Sequence, residues 1–389
     1  MILKKIEIVN FRNYESLELT FNKKTNIIYG NNAQGKTNIL ESIYVLGLTK
    51  SHRSFIDNNL IKEGQTKSKI FGIVEKDNIP TKMEIRLDNK NKKLKIDNNE
   101  IKKVSDYISK FNIIIFYPED LEIIKGSPNI RRQYFNLELS QLYSQYYKVL
   151  NDYKKILKIR NEYLKQMQKN IEVDKNYFDI LTECLIEKAI FIYKARDKFI
   201  LKINEHSEKI FKRISGTSGF NIRYSPYFKL DSFETEYLKE NLRYRFNKIL
   251  STEIKLGMTL VGPHRDEFLF CIEDKNLKEY GSQGQQRLAI ISLKLAEIEV
   301  FKKYCKTTPL LLLDDVFSEL DDSKKNKLLR YIHNKVQTII TTTDLNNIDE
   351  KTLKNAKIFK IKNGIVIKTK EVNKKWIKNS IMTHQIFKY

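Results

Sequence analysis

Cysteine is scarce in this chain. Cys184, Cys271 and Cys305 stand far apart and form no C-x-x-C pair. That argues against a zinc site or a disulfide framework and points to a reducing cytoplasm. The five histidines are scattered and add no metal cluster. No apolar run reaches the roughly 18 residues that a membrane-spanning helix requires. The opening segment Met1–Phe11 reads as strand, without the layout of a signal peptide. A cytoplasmic protein with no membrane partner is the expectation. Internal repeats are absent from the sequence, as are nuclease and helicase motifs.

Acids are also outnumbered: 71 lysines and arginines face 48 aspartates and glutamates, a formal charge of +23. A basic surface attracts polyphosphates and releases their counterions, which favours a nucleic-acid partner. The abundance of Lys, Asn, Ile, Tyr and Phe is equally the usage of an AT-rich genome, so charge by itself leaves both readings open. Residues 351–389 hold eleven lysines and a single acid, Glu371; they read as a basic arm on nucleic acid or as a solvated tail. With 389 residues, 41% hydrophobic and 31% charged, the chain can form two or three globular domains.

What is present is a phosphate loop. Gly30-Asn31-Asn32-Ala33-Gln34-Gly35-Lys36-Thr37 matches G-x-x-x-x-G-K-[ST], followed by Asn38. Thr25–Tyr29 before it reads as a buried strand, and Asn38–Leu46 after it as a helix with an apolar face. In that setting backbone N–H groups and the positive end of the helix surround the phosphates of a nucleoside triphosphate. Lys36 is placed to reach the β- and γ-phosphates, and Thr37 to ligate Mg²⁺. Pro309–Asp315 is an apolar strand ending in two carboxylates, the second half of such a site. Asp314 is expected to hold Mg²⁺. Asp315, pointing to the other side of the strand, is expected to polarise an attacking water. Ser282-Gln283-Gly284-Gln285 opens a helix and makes a further anion-binding start, which suggests a site shared between two molecules.

The remaining pattern changes along the chain. Residues 1–128 read mostly as strands with period-two alternation. From Arg131 to Ser215 apolar positions recur every three or four residues, broken once by Arg160 and interrupted by the polar stretch Asn170–Asp174. Two long amphipathic helices in an antiparallel hairpin are predicted. The last 130 or so residues alternate strand and helix, with a hairpin turn at Asn363-Gly364.

Taken together, these blocks resemble the SMC-like ABC-type ATPases, and among them the RecF family of bacterial DNA replication and repair proteins. The resemblance spans about residues 1 to 370. It is carried by Phe11-Arg12-Asn13-Tyr14, Gly30–Asn38, Lys50–Arg53, Pro118–Leu121, Lys125–Pro128 and Arg131-Arg132. Gly262–Asp266, Ser282–Arg287 and Asp314–Asp321 complete it. It implies an α/β fold, an ABC/SMC-type ATPase head with an inserted helical-hairpin arm. The implied division is an N-terminal lobe at 1–128, a mainly helical arm at 129–250 and a C-terminal lobe at 251–389. It further implies ATP and Mg²⁺ as cofactors and a head-to-head homodimer formed on ATP binding. Expected partners are single- and double-stranded DNA at gap junctions, RecO and RecR, and a functional link to RecA, with slow hydrolysis. Carried onto this sequence, Lys36 and Asp315 are catalytic, Gly30 to Asn38 bind nucleotide, and Thr37 and Asp314 bind the metal. Ser282, Gln283, Gly284 and Gln285 are then the contact in trans.

The pattern departs from the family's wider relatives in places. Gln283 and Asp315 stand where ABC transporters carry Gly and Glu. Thr342 or Thr343 occupies the region of the transporter switch histidine, and Glu119 and Asp120 are candidates for the glutamine loop. His52-Arg53 and His264-Arg265 read as phosphate stabilisers, as DNA contacts or as loop structure. The rival readings are a transporter subunit, disfavoured by the long separation of Lys36 from Ser282, and a scaffold that binds nucleotide without hydrolysing it.

Overall fold

The structure, a computed structural model, describes residues 1–371 apart from 55 and 334. The segment beyond Glu371, with Trp376, lies outside the described residues. The chain divides into two compact units, one formed by Met1–Glu119 with the chain from Phe301 onward, the other by Asp120–Val300. These differ from the three segments expected from sequence in that residues 251–300 keep company with the helical segment. The reason is pairing: strand Glu267–Ile272 bonds along its length to Phe220–Ser225.

The first unit contains two six-stranded sheets. One is antiparallel and begins with Ile2–Phe11, Tyr14–Thr20, Lys67–Lys76 and Ile79–Asp88. In the other, Thr25–Tyr29 is flanked by the parallel strands Thr338–Thr342 and Ala356–Lys362. Beyond Thr338–Thr342 lie Leu310–Asp314 and Ile113–Phe116, also parallel, and the antiparallel Ile365–Glu371 forms the opposite edge. Leu310 to Leu313, Ile27, Ile28, Ile339 and Ile340 are fully buried, as expected for parallel strands covered on both faces. Each such side chain contributes about 1.5–3 kcal/mol by leaving water.

The helix Lys36–Leu48 is buried almost all round because it touches both sheets. A Cβ on Gly72 of the antiparallel sheet would collide with Leu46, and one on Gly47 would meet Ile113 at 2.5 Å. The register aligns Tyr29 with Thr342 and Asp314 with Thr341. The phosphate loop and the Asp314-Asp315 pair therefore leave the sheet at the same end, the carboxyl ends of parallel strands where ligands bind in open α/β sheets.

The second unit packs helices Pro128–Leu142, Ser144–Gln168, Lys175–Ser215 and Thr235–Leu256 around a three-stranded sheet. The long hairpin is antiparallel, since Tyr163 meets Tyr177 while Tyr146 meets Phe191. Its first arm begins at Ser144, a separate helix from Pro128–Leu142. The buried stripe runs through Tyr146, Leu150, Tyr153, Arg160 and Leu164. Arg160, the break in the apolar spacing, lies inside that stripe. It is 1% exposed, bonds Glu253 at 2.8 Å and Thr259 at 2.8 Å, and is sandwiched between the rings of Phe178 and Phe246.

Candidate functional site

The phosphate loop joins the buried strand Thr25–Tyr29 to the helix that begins at Lys36. Its backbone turns through left-handed conformations at Ala33 (φ 62°) and Gly35 (φ 101°). Only glycine fits the second, since a Cβ there would lie 2.7 Å from both Asn13 Nδ2 and the Tyr14 hydroxyl. Asn31, Asn32 and Ala33 are exposed at the mouth of the loop. Lys36 Nζ reaches back across it and donates to the carbonyls of Gly30 (2.6 Å) and Asn31 (2.7 Å). Burial lowers the Lys36 pKa, opposed first by Asp315 and then by Asp314. The ammonium is thus held over a ring of backbone groups with two carboxylates nearby.

Thr37 Oγ1 donates to Asp314 Oδ1 at 3.0 Å, and Thr341 Oγ1 donates to the same oxygen at 2.6 Å. Burial raises the Asp314 pKa, against the pull of these two hydrogen bonds. A hydroxyl and a desolvated carboxylate side by side are the oxygen donors that a hard divalent cation takes. Asp315 follows in a left-handed conformation (φ 51°), its N–H donating to Thr341 Oγ1 at 3.1 Å. Among the three threonines ending that strand it is Thr341, rather than Thr342 or Thr343, that touches the acid pair. Thr342 instead closes a turn on Asp344. The side chains of Ser318 and Glu319 lie outside the description; Asp321 caps the helix Asp322–Ile332 through the Lys324 N–H.

Residues that sequence reading passed over without a role surround this loop. Arg12 makes a two-pronged pair with Glu41 at 2.9 and 2.6 Å, and Glu41, fully buried in the loop helix, also accepts from Ser51. Tyr14 donates to the Gly35 carbonyl at 3.1 Å, and Asn13 accepts from Asn38 at 2.8 Å. From the far end of the chain, the Asn363 N–H donates to Gln34 Oε1 and the Gly364 N–H to the Gln34 carbonyl. The signal for Glu41 was available: a carboxylate among the buried apolar positions of a short helix needs a cation.

The two His-Arg pairs separate. The His52 ring is packed between Tyr44 and Tyr117, whereas exposed Arg53 bonds Asn38 at 3.0 Å and lies 3.6 Å from Glu41. His264 is structural. Its Nδ1 bonds the Tyr153 hydroxyl at 2.6 Å, its Nε2 faces the Thr259 carbonyl at 3.1 Å, and burial lowers its pKa to about 4. A neutral imidazole so held does not stabilise a phosphate. Asp120 is buried and paired with Lys294 at 2.9 Å, while Glu119 is exposed.

In the second unit, Ser282 and Gln285 satisfy each other: the Gln285 N–H donates to Ser282 Oγ, and the Ser282 N–H to Gln285 Oε1 at 2.9 Å. This capping box starts the helix Gln283–Cys305. Ser282, Gln283, Gly284 and Gln285 are all exposed, so the positive end of a long helix faces solvent.

The family model described as "RecF/RecN/SMC N terminal domain" matches residues 2–367. A protein of Pediococcus pentosaceus named "DNA replication and repair protein RecF" is 42% identical over 95% of this chain and all of its own length. One from Listeria monocytogenes with the same name is also 42% identical, again over 95% of this chain and its whole length. A solved structure described as the recombination mediator protein RecF with ATP in the RecFOR pathway superposes with a TM-score of 0.88. It is 34% identical and covers 95% of this chain and 97% of its own. A SMC head bound to the C-winged helix domain of ScpA shares the fold, with a TM-score of 0.54, 16% identity and coverage of 97% and 100%.

Proposed function

The chain belongs to the RecF/RecN/SMC N-terminal domain family, in its RecF branch, and we propose that it is an ATP-dependent DNA-binding protein of recombinational repair and replication. The observation that carries this reading is the convergence of Lys36, Thr37, Asp314 and Asp315 at one end of the parallel sheet. Lys36 exchanges its two carbonyl partners for phosphate oxygens, while the loop N–H groups and the start of the helix Lys36–Leu48 bind the remainder. Thr37 and Asp314 are the residues fitted to hold Mg²⁺, which supplies charge neutralisation at the phosphates. Asp315 orients the attacking water. Its short side chain suits slow turnover.

The exposed start of the helix Gln283–Cys305 is where a second protomer's nucleotide is read, by Ser282 Oγ, the N–H groups of Gln283 and Gly284, and the Gln285 N–H once it leaves Ser282 Oγ. Binding in both sites joins two heads, and loss of the bridging phosphate on hydrolysis removes the contacts that favour the joined state. The joined heads grip DNA at single-strand/double-strand gap junctions. With RecO and RecR as partners, they assist loading of RecA.

ATP turnover measured against protein concentration, with and without gapped duplex DNA, tests this reading. A rate that rises faster than linearly and is stimulated by the DNA supports the shared site and the repair role together. A linear rate indifferent to DNA leaves an ATPase without the shared site.

A further inference from the structure

Two sequence blocks that the ATPase site does not use, Arg131-Arg132 and Gly262–Asp266, meet in the helical unit. Arg131 pairs with Glu267 through both guanidinium edges, at 2.6 and 2.7 Å. Arg132 donates to the Asp266 carbonyl at 2.8 Å. Arg196, 2% exposed, donates to the Pro263 carbonyl at 2.6 Å and to Asp266 Oδ2 at 2.7 Å. The same carboxylate accepts from the Tyr224 hydroxyl and, at 3.3 Å, from the Tyr227 N–H. With His264 pinned between Tyr153 and Thr259, every polar side chain of the turn but one is committed inward.

The exception is Arg265. It is half-buried, touches Met258 Sδ at 3.6 Å, and stands 6.0 Å from the centre of the Tyr227 ring. Tyr227 is 64% exposed, although its backbone is tied to buried Asp266. The local charge is unbalanced as well. Glu267 and Asp266 are matched by Arg131 and Arg196, so Arg132 and Arg265 have no carboxylate partner among the described residues. A buried ion pair is a costly way to stiffen a surface turn. Here it fixes a guanidinium over one side of a largely exposed aromatic ring, a pairing of the kind that tracks a nucleic-acid strand.

We propose that Arg265 and Tyr227 form a nucleic-acid contact, the guanidinium taking a backbone phosphate and the ring stacking on an unpaired base. The proposal rests on the DNA-binding reading above and names the residues that make the contact. Arg132, beside the same turn, adds to the attraction for phosphate.

The test uses the full chain with ATP, a gapped duplex and a blunt duplex, with affinity read by fluorescence anisotropy over a salt series. Arg265→Ala is expected to weaken both DNAs and to lower the slope of log K against log salt by about one, as loss of one phosphate contact does. Arg265→Lys restores the slope. Tyr227→Ala is expected to weaken gapped DNA about tenfold while leaving the slope and the blunt duplex unchanged, and Tyr227→Phe restores binding. Both side chains are at the surface, and unchanged thermal melts confirm folding. DNA binding by both alanine variants equal to that of the parent overturns the proposal while the DNA reading stands. Weakened ATP binding by Arg265→Ala without DNA overturns it too, assigning the arginine to nucleotide. A parent protein that binds neither DNA removes the broader reading, and this one with it.

Discussion

Thr37 and Asp314 lie 277 positions apart in sequence, yet the threonine hydroxyl donates to the carboxylate at 3.0 Å. The hydrogen bond joins the start of the loop helix to the end of a strand two places away in the sheet. Asparagine at 314 keeps an oxygen for the hydroxyls of Thr37 and Thr341 but loses the charge. Asp314→Asn is therefore expected to melt within about 1 kcal/mol of the parent and to lose magnesium-dependent ATP turnover. A melt and a turnover assay on the same sample check both halves.

Lys36→Ala removes the cation above the loop without disturbing the buried strands. It is expected to abolish ATP-driven dimerisation in sedimentation velocity. Asp315→Asn leaves the loop intact and removes the acid proposed to orient water, so the proposed dimer is expected to persist with ATP. A stable ATP-bound dimer of Lys36→Ala contradicts the site assignment.

Arg12 and Glu41 form the buried pair behind the loop, and the carboxylate is fully enclosed. Burial pushes the Glu41 pKa up, but hydrogen bonds from Arg12 and Ser51 outweigh it and hold the carboxyl below its ordinary value. Arg12→Ala leaves that carboxylate with Ser51 and the more distant Arg53 and is expected to cost about 1–3 kcal/mol. Because the folded pKa is depressed, this pair's stabilisation is present above the unfolded pKa, near 4.5. It fades as pH falls through the folded value. Denaturant melts of parent and Arg12→Ala should therefore differ at pH 7 and converge as the pH falls below the depressed folded value.

The phosphate loop, the apolar strand into Asp314-Asp315 and the helical hairpin were legible in the sequence because each is a local pattern of spacing. Arg160 looked like a defect in that pattern, since spacing cannot reveal that Glu253 and Thr259, distant in sequence, are there to receive it. Likewise, nothing local tells that the turn at Asn363-Gly364 rests on Gln34, or that Thr341 rather than its neighbours meets Asp314. Those facts belong to sheet register. The choice among the readings of His264 stayed open for a related reason: its role is set by Tyr153 on a helix over a hundred residues earlier.

A second pH dependence, of opposite sign, is built into the helical unit. Asp120, Glu138, Glu297 and Lys294 are all buried. Lys294 lies 2.9 Å from Asp120 and above the Tyr134 ring. The Tyr134 hydroxyl donates to Glu297, and Gln141 donates to Glu138 at 3.2 Å. Three buried carboxyls crowd around Lys294, so ionising all of them without water is costly. Burial raises the Glu297 pKa to about 7, opposed by Lys294 and the Tyr134 hydrogen bond, and burial with the Glu297 charge raises Glu138 well above its ordinary value. A folded pKa above the unfolded one means that the native state binds the extra proton. The Glu297 share of stability should fall by up to about 1.4 kcal/mol per pH unit between roughly pH 4.5 and 7, and the raised Glu138 adds to the fall. Glu297→Gln replaces the proton-dependent group by a permanently neutral one of the same shape, so its melting temperature should exceed the parent's at pH 8 and match it below the unfolded pKa of 4.5. Parent melts that stay flat between pH 5 and 7 would mean that the cluster holds its protons differently from this account.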